Sequence, residues 1–195
     1  PPIHWFDEID STNEEAKRQA KSGGFSDQWV AAREQTAGRG RLSREWKSPP
    51  GNLYCTALFH EPLGMAVAAR VPFVGALAVS DALGSYAPDA DIRLKWPNDV
   101  RCGGAKLCGI LIEAGAGDAG TWVAAGIGVN IASVPDGAGQ AATCLADLRG
   151  DGAVTADMVA TSLQSAFAER LAQARDDFAA TIDAWLARAE GLVGL

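Results

Sequence analysis

Three β-rich runs follow one another in the middle of the chain: residues 92–100, 105–114 and 121–131, punctuated by Gly103-Gly104 and the Gly-rich stretch 115–120. This succession constrains the fold more than any other feature, and its last two runs read as a hairpin. Around it, residues 10–24 read as a helix, with Ser11 or Thr12 as cap, Glu14 or Glu15 completing a capping box, and Gly23-Gly24 ending it. Residues 29–34 form a short strand and 52–59 a buried one. The run 66–86 is apolar on most faces and reads as a core helix, with Pro72 in its first turns or at its true start. From Thr155 to Ala189 the pattern is helical, as two helices meeting near Asp176. Helix, strands, helix, strands, helices is the order of an α+β fold with a mixed or antiparallel sheet, not of a doubly wound βαβ repeat.

Composition narrows the functional classes. With 195 residues, 48% of them hydrophobic, the chain can bury one sizeable core in a single domain over residues 1–190. A net charge of −7 disfavours nucleic acid as a partner, because a phosphate backbone requires a basic face. No apolar stretch is long enough to span a bilayer, and the first residues carry no secretory pattern. Cys55, Cys102, Cys108 and Cys144 form no CxxC pair and read as free thiols in a reducing cytoplasm, not as a zinc site. His4 and His60 lie outside every motif and read as structural.

Against that acidic background, Arg39, Arg41, Arg44 and Lys47 fall within nine residues, with Gly38 and Gly40 beside them. The glycines read as mobile backbone, and the guanidiniums suit phosphate or carboxylate, whose paired oxygens they match. The segment lacks the spacing of a dinucleotide fingerprint or a Walker loop. A solvated surface loop is the competing reading.

Further on, Pro97 sets Asn98 and Asp99 on a rigid turn beside Lys95. Lys106 leads an apolar strand, either as an edge gatekeeper or as a charge projecting into a site. Gly126 and Gly128 mark close approach by a ligand or tight strand packing, and Asn130 either caps the next turn or reads a base edge. Residues 132–143 form a small-residue loop read as mobile.

Taken in order, "DSTNEEA", "EQTAGRGRLSREW", "LKWPNDV", "AKLCGILIE" and "GIGVNI" resemble the catalytic domain of biotin protein ligases across nearly the whole chain. The resemblance implies a class II aminoacyl-tRNA synthetase/biotin ligase-like fold. It also implies an ATP-dependent enzyme that makes biotinyl-5′-AMP and passes biotin to a lysine of a biotin carboxyl carrier domain. On that resemblance Ser11, Thr12, Asn13 and Gln35 bind biotin, and Arg39, Gly40 and Arg41 fold over biotin and the adenylate. Arg44 faces phosphate, Trp46 packs on adenine, Asn98 and Asp99 lie near the reactive phosphate, and Asn130 near the adenine. Lys106 contacts the biotin carboxylate and, with Arg39 and Arg41, stabilises charge in the transition state. Magnesium accompanies ATP, with Asp99 as a metal ligand or as the base for the acceptor lysine.

Many family members carry an N-terminal helix-turn-helix domain and a small C-terminal β-barrel. Here the motifs begin at residue 10 and the chain stops near where the barrel would start, so the expectation is a monofunctional ligase with the barrel absent or truncated after residue 190. Leu42-Ser43 stands where some relatives have Arg-Gly, which implies a less basic loop. A lipoate or octanoyl enzyme of the same fold, and a non-catalytic biotin or nucleotide sensor, are the rival readings. Exposed strand edges leave a homodimer open.

Overall fold

A computed structural model describes residues 1–117, 120–135 and 140–191. The elements run β1 (Ile3–Ile9), α1 (Thr12–Lys21), β2 (Gln28–Gln35), β3 (Leu53–Glu61), α2 (Met65–Ala68), α3 (Val71–Gly84), β4 (Ile92–Lys95), β5 (Asp99–Cys102), β6 (Ala105–Gly117), β7 (Gly120–Val129), α4 (Leu145–Arg149), α5 (Ala156–Asp176) and α6 (Phe178–Leu186). Seven strands make one sheet in the order β1-β2-β3-β7-β6-β5-β4. Only β1 and β2 pair in parallel; the rest are antiparallel, and β6 and β7 form the expected hairpin. The α+β class with a mixed sheet holds.

Alternation along the strands sorts residues to two faces. One face carries Cys55, Ala57, Phe59, Ile110, Ala125 and Ile127 and is buried under α3 and α5, with α6 packed on those two helices. This explains the apolar run 71–84: α3 is held between the sheet and two further helices, so nearly all of its surface is covered. Gly75 of α3 faces Ile110, whose methyls would lie in ordinary contact with an added Cβ at 3.4–3.5 Å. The other face receives α1 alone, whose Ala16 and Ala20 pack on Val30, Leu58, Trp122 and Ala124. The rest of that face is left for a site.

Several local expectations need correction. The run 66–86 is two helices, and Pro72 sits in the first turn of the second. Ser11 is the N-cap residue of α1, but its side chain makes no capping bond; Glu14 and Glu15 pair instead with Lys17 and Arg18, so no capping box forms. Residues 3–9, unassigned above, are an edge strand, and 145–149 are a short helix. Positions 118–119 of the Gly-rich stretch, and 136–139 of the loop read as mobile, lie outside the described residues. No described helix is long and apolar enough to cross a membrane.

Asp81 of α3 clamps the helical layer: Arg170 Nε of α5 donates to it at 2.6 Å, as does Arg188 Nη1 beyond α6. Burial raises the Asp81 carboxyl, but the two guanidiniums outweigh it and hold it below the usual carboxylate range. A group depressed on folding contributes its full stability above the unfolded value near pH 4, and that stability is lost as the pH falls through the folded value. Asp81→Asn should therefore cost roughly 2 kcal/mol at neutral pH, between an exposed and a fully buried pair, or about 4–8 °C in Tm. Thermal melts across pH check this: the gap between wild type and variant should shrink below about pH 4.

Candidate functional site

On β7 the residues facing the α1 side are Trp122, Ala124, Gly126 and Gly128, so side-chain bulk falls to nothing along one strand face. Gly128 pairs directly with Gly109 of β6, which leaves a bare patch of two strands. Both glycines are demanded by contact. A Cβ on Gly128 would lie 2.7 Å from the Trp46 ring and one on Gly109 2.8 Å from it, while a Cβ on Gly126 would lie 2.1 Å from Asn13 Oδ1. The close approach read from these glycines is thus made by two side chains of the protein itself. Over this floor lies a cleft of about 680 Å³, within the range of small-molecule sites.

The start of α1 forms one wall. Ser11, Thr12 and Asn13 are buried there, and Thr12 N donates to Gln35 Oε1 at 2.9 Å. Gln35 Nε2 donates to Ser48 Oγ at 2.9 Å, which donates to Trp46 O at 2.9 Å. Trp46 is thereby tied to the polar wall through its backbone, while its buried indole N–H has no hydrogen-bond partner among the described residues.

The cationic segment is more ordered than two glycines suggest. Trp46 N donates to Gly38 O and Gly40 N to Arg44 O, so residues 38–46 fold back as a small hairpin with a single 3-10 turn, Arg41–Ser43, at its tip. Gly38 is required by packing, since a Cβ would meet Trp46 O at 2.4 Å; Gly40 has room around it. Leu42 sits at φ +57° with most of its side chain in solvent. The hairpin is pinned on both sides of the cleft: Arg39 Nη1 donates to Glu14 Oε1 of α1, and Arg41 Nη1 to Asn98 Oδ1, each at 3.2 Å.

At the opposite end, Trp96 stacks on Phe73 of α3 with ring centroids 4.9 Å apart and meets Trp185 of α6 edge-on, which anchors the turn that bears Asn98 and leads into Asp99 of β5. Lys106 is no edge gatekeeper, because β6 lies between β5 and β7. Its ammonium reaches the cleft, 2.7 Å from Asp99 Oδ1 and 5.1 Å from the centre of the Trp46 ring. Asn130 is buried; its Nδ2 donates to Thr143 O, and its carbonyl accepts from Leu145 N. Its amide thus holds residues 141–143 beside β6, where Lys106 N donates to Ala141 O.

All thirteen residues singled out from the sequence line this one cleft: Ser11, Thr12, Asn13, Gln35, Arg39, Gly40, Arg41, Arg44, Trp46, Asn98, Asp99, Lys106 and Asn130. Sequence reading missed Tyr54, a buried lining residue whose hydroxyl donates to Pro49 O, because an aromatic in an apolar strand looks like core. It also passed over Glu113 and Thr56, which stand behind Asn13. His4 and His60 lie outside the cleft, and His60 stacks on Phe25. The four cysteines are free; Cys55, Cys108 and Cys144 are buried, and burial pushes each of these thiols up. Among the described residues no three His, Cys, Asp or Glu side chains cluster to hold a metal.

The model of the biotin/lipoate A/B protein ligase family matches residues 5–130. A biotin–[acetyl-CoA-carboxylase] ligase of Paracoccus denitrificans is 44% identical over 190 residues, 94% of this chain and 79% of its own length. The biotin protein ligase of Aquifex aeolicus, solved with biotin and ATP, superposes with a TM-score of 0.83 at 28% identity, covering 97% of this chain and 78% of that one. That of Leishmania major, solved with biotinyl-5-AMP, gives 0.84 at 26% identity, covering 100% and 84%. On the extent of the family match and the near full-length alignment with the Paracoccus protein, this chain belongs to the biotin/lipoate A/B protein ligase family.

Proposed function

We propose that the protein is a biotin protein ligase. It joins biotin to the α-phosphate of ATP as biotinyl-5′-AMP, releasing pyrophosphate, and then passes the biotinyl group to a lysine of a biotin carboxyl carrier domain. The observation that carries this reading is one cleft with two chemically different ends. A neutral, hydrogen-bonding wall of Ser11, Thr12, Asn13 and Gln35 stands at one end, and at the other Arg41 and Lys106 meet Asn98 and Asp99, with Arg44 also on the lining.

The charges follow the reaction. A carboxylate oxygen attacking the α-phosphorus forms the acyl–phosphate bond as the bond to pyrophosphate breaks, and both reactants are anions. Lys106, held by Asp99 at 2.7 Å and only 14% exposed, is an oriented and poorly hydrated cation, the kind of group that stabilises developing negative charge. Arg39 and Arg41 sit on a hairpin whose present partners, Glu14 and Asn98, are exchangeable for phosphate and carboxylate oxygens. Trp46, lying on the paired glycines, gives the adenine a flat surface. Magnesium enters with the triphosphate as part of the substrate, and Asp99 is the carboxylate beside Lys106. In the second step the acceptor amine attacks the acyl carbon, AMP leaves and the amine loses its proton. Until then the mixed anhydride must be kept from water, which is the work of the hairpin. The rim is net cationic, with Arg44 and Lys47 exposed on either side of Glu45, and suits an acidic carrier domain.

Titration with biotin and then ATP-magnesium, followed by mass spectrometry of the bound product, tests the reading directly. Biotin should bind and biotinyl-5′-AMP should accumulate; folded protein that ignores biotin but adenylates lipoate would move the assignment to the other branch of the family. Lys106→Ala should lower pyrophosphate release by about 10²- to 10³-fold, the usual loss for one transition-state stabiliser, with the far-ultraviolet circular dichroism unchanged. Gly128→Ala should displace the Trp46 ring and raise the KM for ATP about tenfold, while biotin affinity measured without ATP stays within about twofold.

A further inference from the structure

Asn13 has its hydrogen-bonding capacity almost fully committed inside the protein. Its Nδ2 donates to Leu111 O at 3.2 Å and to Glu113 Oε2 at 2.9 Å, which uses both amide hydrogens. Its Oδ1 accepts from Thr56 Oγ1 at 2.7 Å. Thr56 is fully buried, and Gly126 leaves the slot into which the amide fits. A carboxylate and a carbonyl on one side, with a hydroxyl on the other, permit only one orientation of the amide. The single capacity left is the second lone pair of Oδ1, so Asn13 meets a ligand only as an acceptor.

We infer that Glu113 and Thr56 are positioning residues that lock Asn13 as an acceptor for a ring N–H of the substrate, and so select an acid bearing a cyclic urea over one without it. This rests on the ligase reading above. Neither residue lines the cleft; Glu113 acts through Asn13, and Thr56 chiefly through Asn13, the nearer acceptor of its one hydroxyl hydrogen, with Thr12 Oγ1 next at 2.9 Å. Glu113 is in turn fixed by Lys17, whose Nζ lies 2.8 Å from Glu113 Oε1 and 2.6 Å from Glu14 Oε1. Burial pulls the Lys17 ammonium down, but the two carboxylates outweigh it and hold it above its ordinary value, so the ammonium stays charged at neutral pH. Glu14 also receives Arg39 Nη1, which extends the chain of contacts from the amide lock to the hairpin. The glutamate that ends "KLCGILIE" thereby gains a function that the cleft itself does not reveal.

The test compares Glu113→Ala, Glu113→Gln and Thr56→Val by calorimetric binding of biotin and of lipoic acid, which has no urea, and by ATP-dependent turnover. Glu113→Ala and Thr56→Val should each weaken biotin by about tenfold, the equivalent of one hydrogen bond. Lipoic acid binding, the KM for ATP and kcat at saturating biotin should stay within about twofold. Glu113→Gln, whose amide oxygen still accepts from Asn13 Nδ2, should restore biotin affinity to within about twofold of wild type. Unchanged biotin affinity in Glu113→Ala and Thr56→Val overturns the inference. So does a loss that strikes biotin, lipoic acid and ATP alike together with a lowered Tm, because that is structural support alone. Wild-type protein that fails to bind biotin is a different outcome, which removes the ligase reading and the inference with it.

Discussion

The site depends on the absence of side chains at the pair Gly109 and Gly128. These residues face each other across β6 and β7 at the centre of an otherwise well-filled sheet. A side chain at either would displace the ring of Trp46, whose backbone is bound to Gly38 and Ser48 in the hairpin that carries the arginines. One floor therefore sets three things at once: the depth of the cleft, the seat of the aromatic and the register of the cationic segment. A central strand ordinarily gains stability from cross-strand side-chain pairs, so two bare pairing positions weaken the sheet locally. The layer beneath compensates, with Ile110, Ile127 and Val129 buried on the opposite face against α3 and its neighbours.

Charge is handled by the same economy of contacts. The protein is acidic overall, yet each cation in the cleft with a partner meets one group: Lys106 with Asp99, Arg39 with Glu14, Arg41 with Asn98. The pair nearest the floor is well buried, where charge interactions are strong, and the two on the hairpin are largely exposed, where they are weak. A fixed cation at the base and releasable ones on the flap form a division suited to a reaction between two anions that must then be sealed.

Much of the site was legible because its residues come in short runs with unusual composition. Arginines between glycines, an Asn-Asp pair after proline, and a lysine opening an apolar strand stand out in an acidic, alanine-rich chain. The strands 53–61 and 105–129 and the helices from 156 were legible from periodicity and from the glycines between them. The edge strand 3–9 was not, because it mixes apolar and charged residues without a clean alternation and takes its structure from pairing with β2. The order within the arginine segment was not legible either. Glycine reads as freedom in a sequence, whereas Gly38 is there because the backbone of Trp46 passes too close for a side chain.

What the sequence alone determined was the class of fold, the presence of a cationic segment and the residue types available for chemistry, since these follow from local periodicity and composition. What the tertiary structure decided was which face each residue shares and what each polar group is already bonded to. Asn13, Thr56 and Glu113 lie far apart in the chain, and the acceptor role of the asparagine exists only when the other two are brought against it. A hydrogen-bonding capacity is a property of a residue, but which part of it remains free is a property of the fold.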